Sequence, residues 1–262
     1  MQVQQLEADI YVLIGETYQA NSVAIINGDD ALLVDAMADR RDAESLRRVI
    51  EDDLKKRVRL ILCTHYFSDH LAALRLFPES LIVAHKNYRH TFDSELFRSE
   101  EERAHFVEPD ILISDEMTIR WERYCLDIFH NPGHTMSTLN IDIPQADLLI
   151  VGDTVVGNIV YLAYSTPQMF FTALERARRR NRARLLSSHL GLREGAAIGN
   201  AIHYLNTLQS KARSAFETSD PPEAILSIEL KDCLAPGVEA SRFESIFHKR
   251  NLSSIVERNL FA

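Results

Sequence analysis

The sequence predicts a layered α/β body followed by a helical tail. Three observations carry that expectation. Strand-like runs fill the first 36 residues, later apolar runs alternate with amphipathic ones, and from Glu194 the periodicity turns helical for about seventy residues. At 262 residues the chain is long enough to bury a substantial core. Its 46% hydrophobic and 26% charged content is that of a globular protein.

The opening strands are IYVLI (10–14), NSVAIING (21–28) and ALLVDA (31–36), with NGDD (27–30) as a tight turn. Leu46, Val49, Ile50 and Leu54 recur at helical spacing among charges, which predicts an amphipathic helix over 42–56. VRLILCT (58–64) is too short for a helix of its own and reads as a buried strand. A short helix over 70–77, stopped by Pro78, precedes the strand SLIVAH (80–85). The polar stretch 86–109 reads as a helical excursion on the surface. Strands return as YCLDIF (124–129), TLNIDI (138–143) and DLLIVG (147–152). A helix over Pro167–Arg180 and a strand RLLSSH (184–189) follow. In the tail, Ile198, Ile202, Leu205 and Leu208 share one helical face, and SDPPEA (219–224) starts another helix, proline being tolerated in a first turn. No repeat or low-complexity linker interrupts the chain. The expected division is an α/β body over 1–192 and a helical extension over 193–262 packed on it.

A net charge of −9 argues against general nucleic-acid binding. No apolar run reaches the length of about 18 residues that a membrane span needs. The N-terminus lacks the basic and then apolar pattern of a secretory signal. Three scattered cysteines, Cys63, Cys125 and Cys233, fit a reduced cytoplasmic protein better than a disulfide framework. The expected partner is a small-molecule substrate, with neither nucleic acid nor membrane. RARRRNRAR (176–184) reads as a solvated helix C-terminus whose cations complement the helix dipole, an anion-binding patch being the alternative.

Chemistry concentrates in four short motifs. THYFSDH (64–70) supplies His65, Asp69 and His70; NPGHT, VGDT and SSHLG supply His134, Asp153 and His189. Each places a metal-ligand side chain just past a predicted strand end, where rigid strands can hold ligands on one edge of a sheet. Nitrogen and oxygen donors of this kind suit zinc.

In this order the motifs resemble the signature of the metallo-β-lactamase superfamily: H-x-H-x-D-H, a His in a GHT turn, an Asp in a GD turn and a final His. The likeness spans roughly residues 8–192. It implies a four-layer αββα sandwich with a metal site at one edge. By position, His65 and His134 would belong to a first metal and Asp69, His70 and His189 to a second, with Asp153 bridging them. Asp69 would also act catalytically by orienting the metal-activated water. Two departures stand out. Phe67 fills the slot of an imidazole of the first metal, which weakens that position, and Ser188 stands where many relatives carry glycine.

The resemblance implies a metal-dependent hydrolase acting on a small-molecule ester, thioester, lactone or amide. Its cofactor would be one or two Zn²⁺ ions, with Fe²⁺ as the alternative. His65, His134 and Asp153 also form the two-histidine, one-carboxylate set of mononuclear non-haem Fe(II) oxygenases and resemble the iron ligands of persulfide dioxygenases. A non-catalytic metal-binding protein is the third reading. The helical tail is expected to wall the pocket, as in glyoxalase-II-like relatives, or to form a homodimer contact. TVVGNIVYLAYS (154–165) lacks the glycine-rich segment of that group, which weighs against a glutathione thioester. Tyr66 and Phe67 are expected as pocket wall, with Tyr66 or His130 as a substitute donor for the first metal. Asp35 is a candidate for holding a ligand histidine in place, and Cys63 reads as core. His85, His90, His105, His130, His203 and His248 read as surface or internally satisfied residues.

Overall fold

Two-residue alternation along the strands produces two sheets packed face to face. The computed structural model describes residues 1–95 and 98–262. The first sheet contains β1 (Gln2–Glu7), β2 (Ile10–Ile14), β3 (Asn21–Asn27), β4 (Asp30–Val34), β5 (Arg57–Leu62), β6 (Leu81–His85) and β7 (Ile111–Ile113), in that spatial order. Its first four strands pair antiparallel, and β4 through β7 run parallel. The second sheet contains β8 (Glu116–Trp121), β9 (Tyr124–His130), β10 (Leu139–Ile143), β11 (Leu148–Gly152), β12 (Arg184–Ser187) and β13 (Leu192–Glu194), again neighbours in chain order.

On β4, Leu32 and Val34 point between the sheets while Ala31 and Leu33 point outwards; on β11, Leu148 and Ile150 point inwards and Leu149 and Val151 outwards. The outer face of the first sheet is covered by α1 (Arg40–Arg47) and α2 (Tyr88–Ser94), with α3 (Glu100–Ala104) nearby in the chain. The outer face of the second packs on α4 (Pro167–Arg180), α5 (Ala197–Phe216), α6 (Pro221–Leu226) and α7 (Arg242–Arg258). This is the expected αββα sandwich with helices at its C-terminal end.

The tail is bound to the second sheet by a shared core and by buried polar contacts. Ile198, Leu205 and Leu208 are buried, and Ile202 packs against the same cluster, so the stripe finds its partner surface within the chain. Glu244 on α7 is fully buried and accepts hydrogen bonds from the backbone and side-chain nitrogens of Asn158, at 2.7 and 3.0 Å. Gly157 permits that approach: its φ is +65°, and a Cβ there would lie 2.5 Å from the Glu244 carboxylate. Asn251 accepts from Leu162 N at 2.7 Å and donates to Val160 O at 2.7 Å.

Several expectations are corrected. The segment 70–77 is not a continuous helix but two 3₁₀ turns, Ser68–His70 and Leu74–Leu76. Its backbone bonds outwards instead: Ala36 N donates to His70 O, and Ala72 N and Ala73 N donate to Met37 O and Ala36 O. The helix expected over 42–56 starts at Arg40 and widens to a π-helix at Arg48–Asp53. Strands β1, β7, β8 and β13 were not foreseen. In the excursion over 86–109, α2 and α3 are present, and Leu96 and Phe97 lie outside the described residues. The arginine-rich stretch closes α4, where Arg178–Arg180 form the basic last turn; beyond it Arg182 pairs with Asp142 at 2.6 Å.

Among the described residues no helix is long and apolar enough to cross a membrane. Cys63, Cys125 and Cys233 are free thiols, Cys63 being buried in the outer core of the first sheet.

Candidate metal centre and its pocket

All six candidate ligands meet at the C-terminal ends of strands. His65, Asp69 and His70 follow β5, His134 lies in the β9–β10 connection, Asp153 directly follows β11, and His189 follows β12. The two sheets are tied together here: Leu139 N donates to Thr64 O at 2.7 Å, and Asn21 N donates to Ser188 O at 2.7 Å. Gly152 makes the corner before Asp153, with φ +58° and room for a Cβ only 3.0 Å from Thr64 Oγ1.

The six side chains fall into two groups that could each hold a metal ion: His65, His134 and Asp153, and Asp69, His70 and His189. Asp153 lies between them. Its Oδ2 is 3.9 Å from His134 Nε2 and 3.3 Å from His189 Nε2. Asp69 Oδ1 is 3.3 Å from His70 Nε2, and its Oδ2 is 3.5 Å from His189 Nε2.

Several donor atoms in this cluster are buried and without a hydrogen-bond partner: Nε2 of His65, both ring nitrogens of His70, Nε2 of His134 and Oδ1 of Asp153. An orphaned buried polar atom typically costs about 1–3 kcal/mol. Concentrating them around one point makes sense for a cation with nitrogen and oxygen ligands, which would satisfy them together. The donor set therefore fits a divalent metal.

The electrostatics agree. Burial, reinforced by His70, holds the His65 imidazole well below its ordinary pKa, and burial also lowers His134. Burial alone would lower His189 too, but Asp153 and Asp69 outweigh it and raise it to about 9. Burial would raise Asp153, yet His189, His70 and His134 hold it well below the usual carboxylate range. In the metal-free protein at neutral pH, a proton on His189 thus supplies positive charge between the two carboxylates.

Asp35, expected to hold a ligand histidine, braces Thr64 and Ser188 rather than bonding a ligand histidine directly. It adopts φ +59°, a conformation that aspartate tolerates better than most residues. Its carboxylate accepts from Thr64 N at 2.7 Å, Thr64 Oγ1 at 2.8 Å and Ser188 Oγ at 2.8 Å, and lies 3.9 Å from His70 Nδ1. Thr64 Oγ1 in turn lies 3.1 Å from His65 Nδ1. Ser188 thus contributes a contact of its own, because a glycine there could not make the bond to Asp35.

Phe67 lines the pocket beside this cluster, with its ring 5.3 Å from that of His65 and 5.4 Å from that of His134. Tyr66 is not pocket wall. It is buried in the outer core of the first sheet and donates to Val107 O at 2.5 Å. His130 does not face the first trio either: it stacks on His85 at 3.9 Å and bonds Met136 O at 2.9 Å. Neither residue can serve as a further donor to the first trio. His85, His105 and His248 make internal hydrogen bonds to backbone carbonyls, as expected of satisfied residues.

The pocket above the cluster has a volume of about 420 Å³ and is walled by residues far apart in sequence, including Tyr161, Tyr164, Phe243, Phe247 and Arg250. Glu95 was also missed. It lines the pocket and accepts from Ser68 N and Ser68 Oγ, both at 2.8 Å, bracing the backbone next to Asp69. No sequence motif marks it; only folding brings it to the site.

Burial, and then Asp69, raise the Glu95 carboxyl from 4.5 to about 7. Because the folded-state value is the higher, the neutral acid favours folding below about pH 4.5, and this contribution is lost as pH rises through about 7. Glu95→Gln is neutral throughout. In metal-free protein it should raise the Tm relative to wild type at pH 8 by about 2–4 °C and do little at pH 5. A Tm difference that does not vary between these pH values would show that Glu95 does not titrate there.

Comparison with known proteins agrees with this architecture. The family model of the metallo-β-lactamase superfamily matches residues 15–193. The chain belongs to that superfamily. Its structure is similar to a metallo-β-lactamase from Pontibacter korlensis, at 16% identity and a TM-score of 0.63, covering 76% of this chain and 95% of that one. It is also similar to a stereoselective inverting sec-alkylsulfatase from a Pseudomonas species, at 12% identity and a TM-score of 0.74. That likeness covers 98% of this chain but 50% of the sulfatase, so the chain spans about half its length. A metallo-β-lactamase from Erythrobacter litoralis aligns at 15% identity and a TM-score of 0.59, over 75% of this chain and 92% of that one. At these identities the likenesses establish the fold alone. The sequence has no significant match among curated proteins.

Proposed function

We propose that the chain is a metal-dependent hydrolase acting on a small-molecule ester, thioester, lactone or amide. The observation that carries this reading is the convergence of orphaned, buried nitrogen and oxygen donors beneath an open pocket. The reading assigns His65, His134 and Asp153 to one ion, Asp69, His70 and His189 to the other, and a bridging role to Asp153. Zinc suits these donors. A bound divalent ion supplies a water of near-neutral pKa and polarises the scissile group. In this reading Asp69, the most exposed of the six and a lining residue of the pocket, would orient that water and take its proton. A cavity of about 420 Å³ falls in the range of small-molecule sites. The acidic balance and free thiols support a small-molecule substrate over nucleic acid, and a reducing, cytoplasmic setting.

A second reading is favoured by one specific observation. His65, His134 and Asp153 form a complete buried set without any contribution from position 67. Such a set suits a mononuclear Fe(II) oxygenase. Metal analysis separates the two. Protein reconstituted with Zn²⁺ or Fe²⁺ should retain zinc and hydrolyse members of an ester, thioester, lactone and amide panel. Retention of neither metal removes the hydrolase reading, and iron held only beside His65 and His134 transfers it to the oxygenase.

Phe67 should make the two positions unequal, since a phenyl ring offers no lone pair where an imidazole would bond zinc at about 2.0–2.1 Å. Zinc titration of the wild type is expected to show one tight and one weaker equivalent, with Phe67→His tightening the second. Two equal tight equivalents in the wild type would contradict this asymmetry.

A further inference from the structure

Five aromatic side chains form a continuous wall around the pocket, and Phe67 is the first of them. Its ring lies 4.6 Å from Tyr164, which lies 5.9 Å from Tyr161; Tyr161 lies 4.7 Å from Phe247, and Phe247 lies 4.6 Å from Phe243. Phe243 closes the arc 5.4 Å from His189, one of the candidate ligands. The wall thus begins in the slot where relatives carry an imidazole and ends at the opposite side of the cluster. It is assembled from the loop after β5, the loop after β11, and α7, three segments that share no local pattern.

We infer that this arc is a subsite for a flat, uncharged aromatic group, and that Phe67 belongs to it as floor. Ring orientation points to an aromatic occupant. Tyr161 stands at 89° to Phe247 and at 84° to Tyr164, while Phe243 and Phe247 are stacked at 27°. The wall therefore offers ring edges and ring faces in turn. A planar π-system can meet both in the edge-to-face and offset arrangements that aromatic quadrupoles favour, whereas a saturated ring of similar size gains only contact area. The charge around the pocket points to a neutral ligand. Among the described residues, Asp69, Glu95, Glu102, Asp153 and Glu257 line it against Arg250 and the protonated His189, so in the metal-free protein a carboxylate or phosphate would meet more repulsion than attraction. The volume of about 420 Å³ accommodates a bicyclic group and a short linker to the metal cluster.

Under the hydrolase reading, the substrate is then an uncharged aryl-bearing ester, thioester, lactone or amide. The assignment rests on that reading for the fate of the ligand, though not for its binding. Its test accordingly measures binding. Calorimetric titration of the full chain, metal-free and zinc-loaded, would use 2-naphthalenemethanol, its saturated counterpart decahydro-2-naphthalenemethanol, and 2-naphthoate.

The naphthyl alcohol should bind both forms at least about 10-fold more tightly than the saturated alcohol does, and the metal-free form at least about 10-fold more tightly than the carboxylate does, a ratio typical of a shaped apolar pocket. Phe247→Leu should weaken it about 10-fold. Phe243→Leu, at a half-buried position outside the tail's main cluster, should act in the same direction and serves should Phe247→Leu fail to fold. No binding of the naphthyl alcohol, or equal binding of the saturated one, would overturn the subsite. So would a tighter carboxylate in the metal-free protein. Selective naphthyl binding without hydrolysis of any panel member would uphold the subsite while removing the hydrolase reading.

Discussion

Replacing Asp153 by alanine should strip metal from both positions and lower hydrolysis by at least about 100-fold. The scale follows from outer-sphere partners, whose loss already costs about 10–100-fold in metal affinity or activity. Asp153 is closer to the centre than such partners, with Oδ2 lying 3.3 Å from His189 and 3.9 Å from His134. Its loss also removes the main charge that holds His189 protonated against burial. Elemental analysis of Asp153→Ala beside His203→Ala, an exposed position on α5, checks the prediction. Full metal content in Asp153→Ala would end the bridging assignment.

The second large effect is expected on stability, at Asn251. This fully buried amide on α7 accepts from Leu162 N and donates to Val160 O and to Tyr204 Oη, with all three distances between 2.7 and 2.9 Å. Leucine has a similar size but leaves Leu162 N–H and Val160 C=O buried without those partners. Each orphaned group costs about 1–3 kcal/mol, so Asn251→Leu should lose about 2–5 kcal/mol of unfolding free energy in urea. The loop it anchors carries Tyr161 and Tyr164, so naphthyl-alcohol binding should weaken as well. An unchanged urea midpoint would show that α7 is not fastened through this residue. Deleting 239–262 should go further and yield aggregated protein, because Leu252 and Ile255 complete a core that includes Leu149 and Leu185 of the second sheet.

The clustering of the candidate ligands was legible because each member lies past a strand end and short-range features mark several of them: a glycine corner at Gly152, an apolar run before His65, an apolar run before His189. The sandwich was legible for a related reason, since β4 and β11 are continuous apolar runs, as strands covered on both faces must be. What stayed hidden depends on contacts across long separations. Glu95 reaches Ser68, Phe67 reaches Tyr164, and Glu244 reaches Asn158 only after folding. The segment 70–77 has helix-forming residues, yet its backbone is claimed by Ala36 and Met37, and tertiary bonding overrides local preference. Strands β1 and β8 escaped notice because they are edge strands with much of their length exposed. Ser188 was visible as a departure, but its bond to Asp35 was not, as 153 residues separate the two.

The fastening of α7 across the pocket also sets an order in time. All six candidate ligands lie at or before His189, whereas the helix that walls the pocket ends at Arg258. At ribosomal speeds of about 5–20 residues per second, the candidate ligands are synthesised about 3–14 s before that wall is complete. During this interval the nascent chain carries every candidate ligand but only part of its aromatic arc. The aromatic wall is therefore completed only after the candidate ligands are all in place.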